Sequence, residues 1–369
     1  MRGTTLRPAG RGYTSAITRI QTVAVLDRQA LNRTTTAPAT TARAAGLTLP
    51  VLLAELAAGA PVSGSEFAAR FGVTRAAVWK RVERLRELGL AVSAQPGGGY
   101  RLDTPVDLLD AARIETAVAA RTRLGNLAVH WQIDSTSSEL LRRVGSDPRD
   151  RLACLAEIQT RGRGRRGRAW RMPLAGGIAL SLLKRFDGGM ASLAGLSLVV
   201  GIACVEALTE LGIGEVGLKW PNDLIARGAK LGGILVELGG DALGPCHAVI
   251  GIGINVRLDA RAGAAIDQPW IDLATLAADA PPQRNRIAAH LLDRLVDVLD
   301  RFADSGFAAF ADRYARYDLL QGRRVRVLRA DGVREGIARS VDTRGALRVV
   351  FADGEHAVDS GDVTIREGA

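Results

Sequence analysis

Residues 162–170 read Gly162-Arg163-Gly164-Arg165-Arg166-Gly167-Arg168-Ala169-Trp170, three glycines alternating with four arginines and closed by a tryptophan. This run cannot be core, because its guanidinium groups would need buried partners. Nor can it be a stable helix, because glycine at this density is costly there. It is a loop. Its glycines let the backbone approach a ligand closely, and its arginines present planar forks to phosphate or carboxylate. Taken alone, a basic surface loop and a ligand loop describe it equally well, so the flanking sequence decides.

Outward from the loop, the chain alternates short apolar runs with helical patterns. Leu127–Ile133, Ala153–Ile158, Ile178–Leu183 and Gly217–Trp220 read as strands, and Gly232–Leu238 pairs with Ala248–Ile254 as a hairpin. Leu193–Leu211, Arg286–Phe302 and Gly306–Tyr317 read as helices. Adjacent, mostly antiparallel strands with helices between them predict an α+β layer. Arg323–Arg366 is a separate all-β piece with the look of a small barrel.

Four further polar segments punctuate this layer. Asp134-Ser135-Thr136-Ser137 leaves a strand and offers hydroxyls to a small polar ligand, or caps a helix. Gln159 stands just before the loop. Lys219-Trp220-Pro221-Asn222-Asp223 gathers a cation, an amide and a carboxylate at a strand end. That set suits phosphate and Mg²⁺, with Asp223 as the metal carboxylate, although Pro-Asn-Asp is also a good polar turn. Lys230-Leu231-Gly232-Gly233 places a lysine at the mouth of an apolar strand. Gly251-Ile252-Gly253-Ile254-Asn255 alternates glycine within a strand, which implies that something packs on its backbone. No Walker loop, paired-carboxylate motif or Ser-His-Asp spacing is present, so the cations Arg163, Arg165, Lys219 and Lys230 point to an anionic substrate and to catalysis by positioning and electrostatics.

The N-terminal third has another character. Leu47–Ala58 is helical in pattern, Glu66–Phe71 is a short second helix, and Thr74 caps a third running to Leu88. Leu90–Ser93 and Tyr100–Leu102 flank the glycine-rich tip Pro96–Gly99 as a wing. This is a winged helix-turn-helix layout. On the third helix Val78, Val82 and Leu85 share a face, which leaves Arg75, Ala76, Trp79 and Lys80 as the DNA-facing set and Arg81 and Arg84 as phosphate contacts. The competing reading is a protein-interaction domain with a solvated basic face; the wing favours DNA.

The net charge of +10 is uneven. Residues 1–45 hold seven arginines against Asp27 alone, so they carry +6 of it and the remaining chain +4. The latter is compatible with nucleic acid or nucleotide phosphates but establishes neither. We read residues 1–45 as a disordered extension or a mis-assigned start. Cys154, Cys204 and Cys246 are widely spaced, which argues against a disulfide framework or zinc site and suits a reducing cytoplasm. The apolar run Ala194–Val205 is too short to span a bilayer and reads as a buried helix.

The ordered set Asp-Ser-Thr, Gly-Arg-Gly-Arg-Arg-Gly-Arg-x-Trp, Lys-Trp-Pro-Asn-Asp, Lys-Leu-x-Gly-Ile-Leu-Val-Glu and Gly-x-Gly-Ile-Asn, followed by Ser360-Gly361-Asp362-Val363 in the tail, resembles biotin protein ligase. With the winged helix it looks like the bifunctional bacterial form that is also the biotin operon repressor. The resemblance covers about residues 47–366. It implies a winged helix-turn-helix at 46–110, a class II synthetase-like mixed-sheet ligase domain at 111–319 and an SH3-like barrel at 320–369. It also implies an activity: biotin attacks the α-phosphate of ATP to give biotinyl-5′-AMP and pyrophosphate, and a lysine of the biotin carrier of acetyl-CoA carboxylase then attacks the mixed anhydride. Cofactors implied are ATP, biotin and Mg²⁺.

By the same resemblance Ser135, Thr136, Ser137, Gln159, Arg163, Gly164, Arg165 and Lys230 hold biotin or its adenylate. Ser137 departs from the asparagine common at that place. Lys219, Asn222 and Asp223 sit near phosphates and metal, Gly253 and Asn255 reach the nucleotide, and Trp270 lies beside the adenine. The adenylate would be corepressor, promoting a homodimer that binds operator DNA. A lipoate-type ligase shares the α+β layer but not the arginine-glycine loop. A decayed biotin sensor that only binds DNA, and a ligase without repressor activity, are the other readings.

Overall fold

The computed structural model describes residues 46–95, 98–264, 266–278, 280–329, 332–359 and 362–365. The N-terminal extension, the wing tip at Pro96 and Gly97, and Ser360-Gly361 lie outside the described residues. The chain from Leu47 onward forms one compact unit.

Three helices open it: α1 (Leu49–Ala57), α2 (Gly64–Phe71) and α3 (Arg75–Glu87). Each starts on a hydroxyl cap: Thr48, Ser63 and Thr74 accept from the backbone N–H three residues on. Gly72, left-handed at φ 63°, ends α2 and makes the tight turn. Leu52, Leu53, Val78, Val82 and Leu85 are fully buried between the helices. The wing is β1 (Val92–Gln95) paired antiparallel with β2 (Gly99–Leu102). Gly99 is obligatory there. Its φ is +81°, and a Cβ would lie 2.4 Å from the Val62 carbonyl. Arg86 ties α3 to the wing by donating to the Val92 carbonyl at 2.6 and 2.9 Å.

The next elements in chain order are α4 (Ala111–Ala117), β3 (Asn126–Ile133), α5 (Thr136–Arg143), β4 (Leu152–Gln159), β5 (Gly177–Phe186), α6 (Leu196–Glu210), β6 (Val216–Lys219), β7 (Asp223–Ala226), β8 (Ala229–Gly240) and β9 (Cys246–Asn255). Two short helices, α7 (Ala260–Ala264) and α8 (Leu273–Leu276), precede α9 (Arg284–Ser305) and α10 (Ala311–Ala315). The seven strands form one mixed sheet in the order β3-β4-β5-β9-β8-β7-β6. Only β3 and β4 are parallel, and the other pairings are antiparallel.

Side-chain alternation splits the sheet into two faces. Ile178, Leu180, Leu182, Ile250, Ile252 and Ile254 join the large core with α6 and α9. The other face buries Leu152, Cys154, Leu183 and Val249 under Leu140 of α5 at one end, and elsewhere carries glycines and polar groups. The second face holds the site.

The long helix expected from Leu193 to Leu211 is broken at its start. Gly195 adopts φ +78°, so a 3₁₀ turn over Met190–Leu193 stands apart from α6. The Phe307 ring fills the space a Gly195 side chain would need, at 2.5 Å. Likewise Gly306–Tyr317 is a 3₁₀ turn, Phe307–Phe310, followed by the short α10 rather than one helix. The last piece is a five-stranded antiparallel sheet of β10 (Arg324–Arg329), β11 (Gly332–Val341), β12 (Leu347–Phe351), β13 (Gly354–Val358) and β14 (Asp362–Ile365), ordered β13-β12-β11-β10-β14. β13 was not legible in the sequence because four of its five residues are exposed, so no apolar alternation marks it. No helix among the described residues is long and apolar enough to cross a membrane.

Candidate functional site

A cleft of about 880 Å³ opens on the glycine-bearing face of the large sheet. Ser135, Thr136, Ser137, Gln159, Arg163, Gly164, Arg165, Lys219, Asn222, Asp223, Lys230, Gly253, Asn255 and Trp270 all line it. The polar segments therefore converge, although more than 130 residues separate the first from the last. Such a volume is ordinary for a small-molecule pocket.

One wall is the start of α5. Ser135 caps it, and Asp134 braces the cap by accepting from the Ser135 N–H at 2.8 Å. Arg142 forks onto Asp134 at 2.7 and 3.0 Å, and this hydrogen-bonded cation holds the Asp134 carboxyl down at about 2. Asp134 is thus a brace, while the hydroxyls behind it face the cleft. Thr136 donates its backbone N–H to Gln159 Oε1 at 2.9 Å. The Thr136 and Ser137 hydroxyls lie 2.8 and 2.9 Å from the Ser181 hydroxyl. Ser181 is fully buried on β5 and was not singled out in the sequence. Its signal was there: one hydroxyl within Ile-Ala-Leu-Ser-Leu-Leu.

The floor is backbone. A Cβ at Gly251 would lie 2.8 Å from the Ser137 hydroxyl, and one at Gly253 would lie 2.4 Å from the Trp170 indole. The expectation that something packs on these alternating glycines holds, and one occupant is Trp170 itself.

Lys230 and Gly233 both face the cleft, although three residues apart they should oppose each other on a regular strand. A bulge resolves this. Asp223 pairs with Gly233 and Leu224 with Gly232, but Ile225 pairs with Lys230, so Leu231 is extra. Leu231 goes to the core, and the Lys230 ammonium swings to 2.7 Å from Asp223 Oδ1. The strand mouth is further fixed by Asn255, whose Nδ2 donates to the Ile271 carbonyl at 3.1 Å. It is also fixed by Lys230, whose N–H donates to the Pro269 carbonyl at 2.9 Å. That bridge brings Trp270 alongside Lys230.

The turn between β6 and β7 carries a cis Trp220–Pro221 bond. Trp220 is buried and donates its indole N–H to the Gly345 carbonyl of the C-terminal sheet at 3.0 Å. Asn222 donates to the Ile234 carbonyl at 2.8 Å and accepts from Arg165 at 3.3 Å.

The arginine-glycine loop folds into a narrow arch. Gly164 N–H donates to the Arg168 carbonyl at 2.7 Å, and Trp170 N–H to the Gly162 carbonyl at 2.9 Å. Arg166 takes the left-handed conformation at φ 54° in a short 3₁₀ turn, Arg165–Gly167, at its tip. Arg163 pairs with Glu237 on β8 at 2.7 Å.

No cysteine is among the residues that line the cleft. Burial pushes the Cys154 thiol up to about 12 and that of Cys204 higher still. For a metal, no group of three or more His, Cys, Asp or Glu side chains converges among the described residues. A Mg²⁺ would have to arrive with nucleotide phosphates and draw on a cleft-lining carboxylate such as Asp223.

Away from the cleft, Arg75, Ala76, Trp79 and Lys80 are all exposed on the first turns of α3. Arg81 instead folds back onto the Ala77 carbonyl at 2.8 Å, and Arg84 pairs with Glu87.

A cationic cleft on one face of a mixed sheet, joined to a winged helix, defines a ligase that also carries a DNA-binding module. Residues 130–255 match the biotin/lipoate A/B protein ligase family, 51–101 a helix-turn-helix domain, and 321–366 the biotin protein ligase C-terminal domain. The chain is 41% identical to the bifunctional ligase/repressor BirA of Salmonella typhimurium over 301 residues, 81% of this chain and 92% of that protein. It is 35% identical to the biotin–[acetyl-CoA-carboxylase] ligase of Mycobacterium tuberculosis, over 71% of this chain and 97% of that protein. Among solved structures, the Aquifex aeolicus biotin protein ligase in complex with biotin and ATP aligns with a TM-score of 0.56 at 27% identity, over 66% of this chain and all of that one. The chain belongs to the biotin protein ligase family, in its bifunctional ligase/repressor form.

Proposed function

We propose that the chain joins biotin to ATP as biotinyl-5′-AMP, releases pyrophosphate, and transfers biotin to a lysine of the acetyl-CoA carboxylase carrier domain. The observation that carries this is the convergence of the five motif segments on one cleft. The Thr136, Ser137 and Gln159 groups read the ureido head, and the glycine floor and Leu235 pack on the rings. Lys230 stands at the carboxylate, where it stabilises the charge moving to the α-phosphate. Arg163 and Arg165 close over the mixed anhydride from the arch. Lys219 and Asn222 face the phosphates, and Gly253, Asn255 and Trp270 face the nucleoside. Asp223 would hold a Mg²⁺ arriving with the nucleotide, which would supply positive charge for the pyrophosphate leaving group.

The adenylate also serves as corepressor: it orders the loop, favours a homodimer and lets two α3 helices read an operator. Three buried, unbridged cysteines suit the cytoplasm.

Incubation with labelled biotin, ATP, Mg²⁺ and a carrier domain tests the ligase, with label on the carrier as the expected result. Labelling by lipoate and not biotin would instead establish the lipoate-type reading. A gel shift on the operator region of its own genome with biotin and ATP tests the repressor, and no shift under ligating conditions leaves a ligase alone.

A further inference from the structure

Arg284, the first residue of α9, is 3% exposed and has no place in the cleft, yet all three of its nitrogens are used. Nε and Nη2 donate to the Gly177 carbonyl at 3.0 and 2.8 Å. Nη1 donates to both oxygens of Glu157, at 3.1 and 2.9 Å, and to the Asp107 carbonyl at 3.0 Å. Glu157 is equally buried, and its Oε1 also accepts the Leu109 N–H at 2.6 Å. Neighbouring Asn285 holds the same stretch, accepting from the Asp110 N–H at 2.8 Å and donating to the Leu108 carbonyl at 2.8 Å.

These partners are not arbitrary core backbone. Glu157 lies on β4 two residues before Gln159. Gly177 is the first residue of β5, where the arginine-glycine arch returns to the sheet, and it pairs in register with Asn255. The preceding Gly176 carbonyl accepts from Val256 and Arg257 at 2.9 Å. Both roots of the arch and the Asn255 strand end are therefore tied to one guanidinium. Asp107–Asp110 lies between β2, the last strand of the winged helix, and α4, and so links that domain to the large sheet. The segment returning from the arch to β5 also meets that domain directly: the Leu174 N–H donates to the Leu88 carbonyl, at the end of α3, at 3.2 Å.

We propose that Arg284, held by Glu157, is a positioning residue that fixes the two roots of the ligand arch and makes adenylate retention depend on the seating of the DNA-binding domain's linker. The inference rests on the ligase reading above. A lysine cannot replace it, because one ammonium cannot hold the Gly177 carbonyl, the Asp107 carbonyl and a carboxylate in the planar fork that arginine provides.

The test uses the full chain with two variants. Arg284→Lys keeps the charge. Glu157→Leu/Arg284→Met removes both charges together, because deleting one would strand the other in the core. Thermal unfolding is read beside the KM for biotin, kcat, and the rate at which preformed biotinyl-5′-AMP is lost. The expected result is a folded double variant with a KM for biotin about tenfold higher and adenylate loss about tenfold faster, kcat changing far less, as for a misplaced site. Arg284→Lys should fall between it and wild type. A folded double variant that keeps the wild-type KM and release rate overturns the proposal. So does one that fails to fold, since the pair would then serve stability alone. If the wild type itself forms no adenylate, it is the ligase reading that fails, and this proposal falls with it.

Discussion

The Trp170 indole occupies the space in which any side chain at position 253 would have to stand, with 2.4 Å between its Cε2 and an ideal Gly253 Cβ. The arch and the β9 strand are thus fitted to each other through the absence of one carbon. Gly253→Ala should force Trp170 off the floor, costing about 1–3 kcal/mol as overpacking does. Gly253→Ala in a Trp170→Ala background should cost clearly less. Urea unfolding of the four members of this cycle measures the coupling. Additive effects would mean that the indole does not rest on Gly253.

The lysine beside this floor makes a sharper kinetic claim. Lys230 Nζ is 2.7 Å from Asp223 and sits on the cleft side only because of the bulge at Leu231. Lys230→Ala should lower the single-turnover rate of pyrophosphate release by about 10²–10³-fold, the usual scale for losing one charge-stabilising donor. Lys230→Arg should not restore it, because a planar fork does not substitute for a point charge in a fitted site. Activity of Lys230→Ala within twofold of wild type would remove Lys230 from the reaction, and an active Lys230→Arg would show that any cation there suffices.

These two cases show which features could be read from sequence. Alternating glycines in a strand announce that their backbone is in contact with something, and the arginine-glycine run excludes helix and core on chemical grounds. Ser135, Thr136 and Gln159 were legible because polar residues at strand ends are conspicuous. The bulge that turns Lys230 toward the cleft was not, because Leu231 looks like any apolar strand residue. Arg284 lay just outside the helix expected from Arg286, and its partners lie 107, 127 and 177 residues away in sequence. Gly195 was hidden inside an apolar run that otherwise reads as uninterrupted helix. Each miss depends on a long-range partner, which local periodicity does not encode.

Asp318 supplies a pH dependence. It accepts the Leu320 N–H at 2.9 Å through Oδ1, while its buried Oδ2 has no partner among the described residues. Burial pushes its carboxyl up to about 6 from an ordinary 3.8. The folded state therefore holds the proton over a range in which the unfolded chain has lost it. Its contribution is fully present below about pH 4 and is lost as pH rises through about 6. On the order of 2–3 kcal/mol is at stake. Asp318→Asn keeps an acceptor for Leu320 and cannot ionise. It should be more stable than wild type at pH 7.5, with the difference closing by pH 4. Equal unfolding midpoints at both pH values would show that Asp318 is not perturbed.

The DNA-facing surface has its own marker in Trp79, which is 51% exposed on α3 while the buried face of that helix is complete with Val78, Val82 and Leu85. A large indole left in water on a helix that needs nothing from it for packing is suited to a partner. Lys80 beside it and Arg75 at the helix start extend the same exposed face. Trp79→Ala should change stability by no more than about 0.5 kcal/mol, as surface substitutions do. It should also leave transfer of biotin to the carrier intact and weaken adenylate-dependent operator binding. Arg75→Ala and Lys80→Ala separate two kinds of contact. A base-reading arginine should cost about 1–3 kcal/mol on the operator and relax its sequence preference, whereas a phosphate-contacting lysine should weaken all DNA alike and flatten the salt dependence by about one unit. Binding isotherms on operator and scrambled duplexes at several salt concentrations distinguish these outcomes. If all three variants bind as wild type does, α3 is not the reading helix.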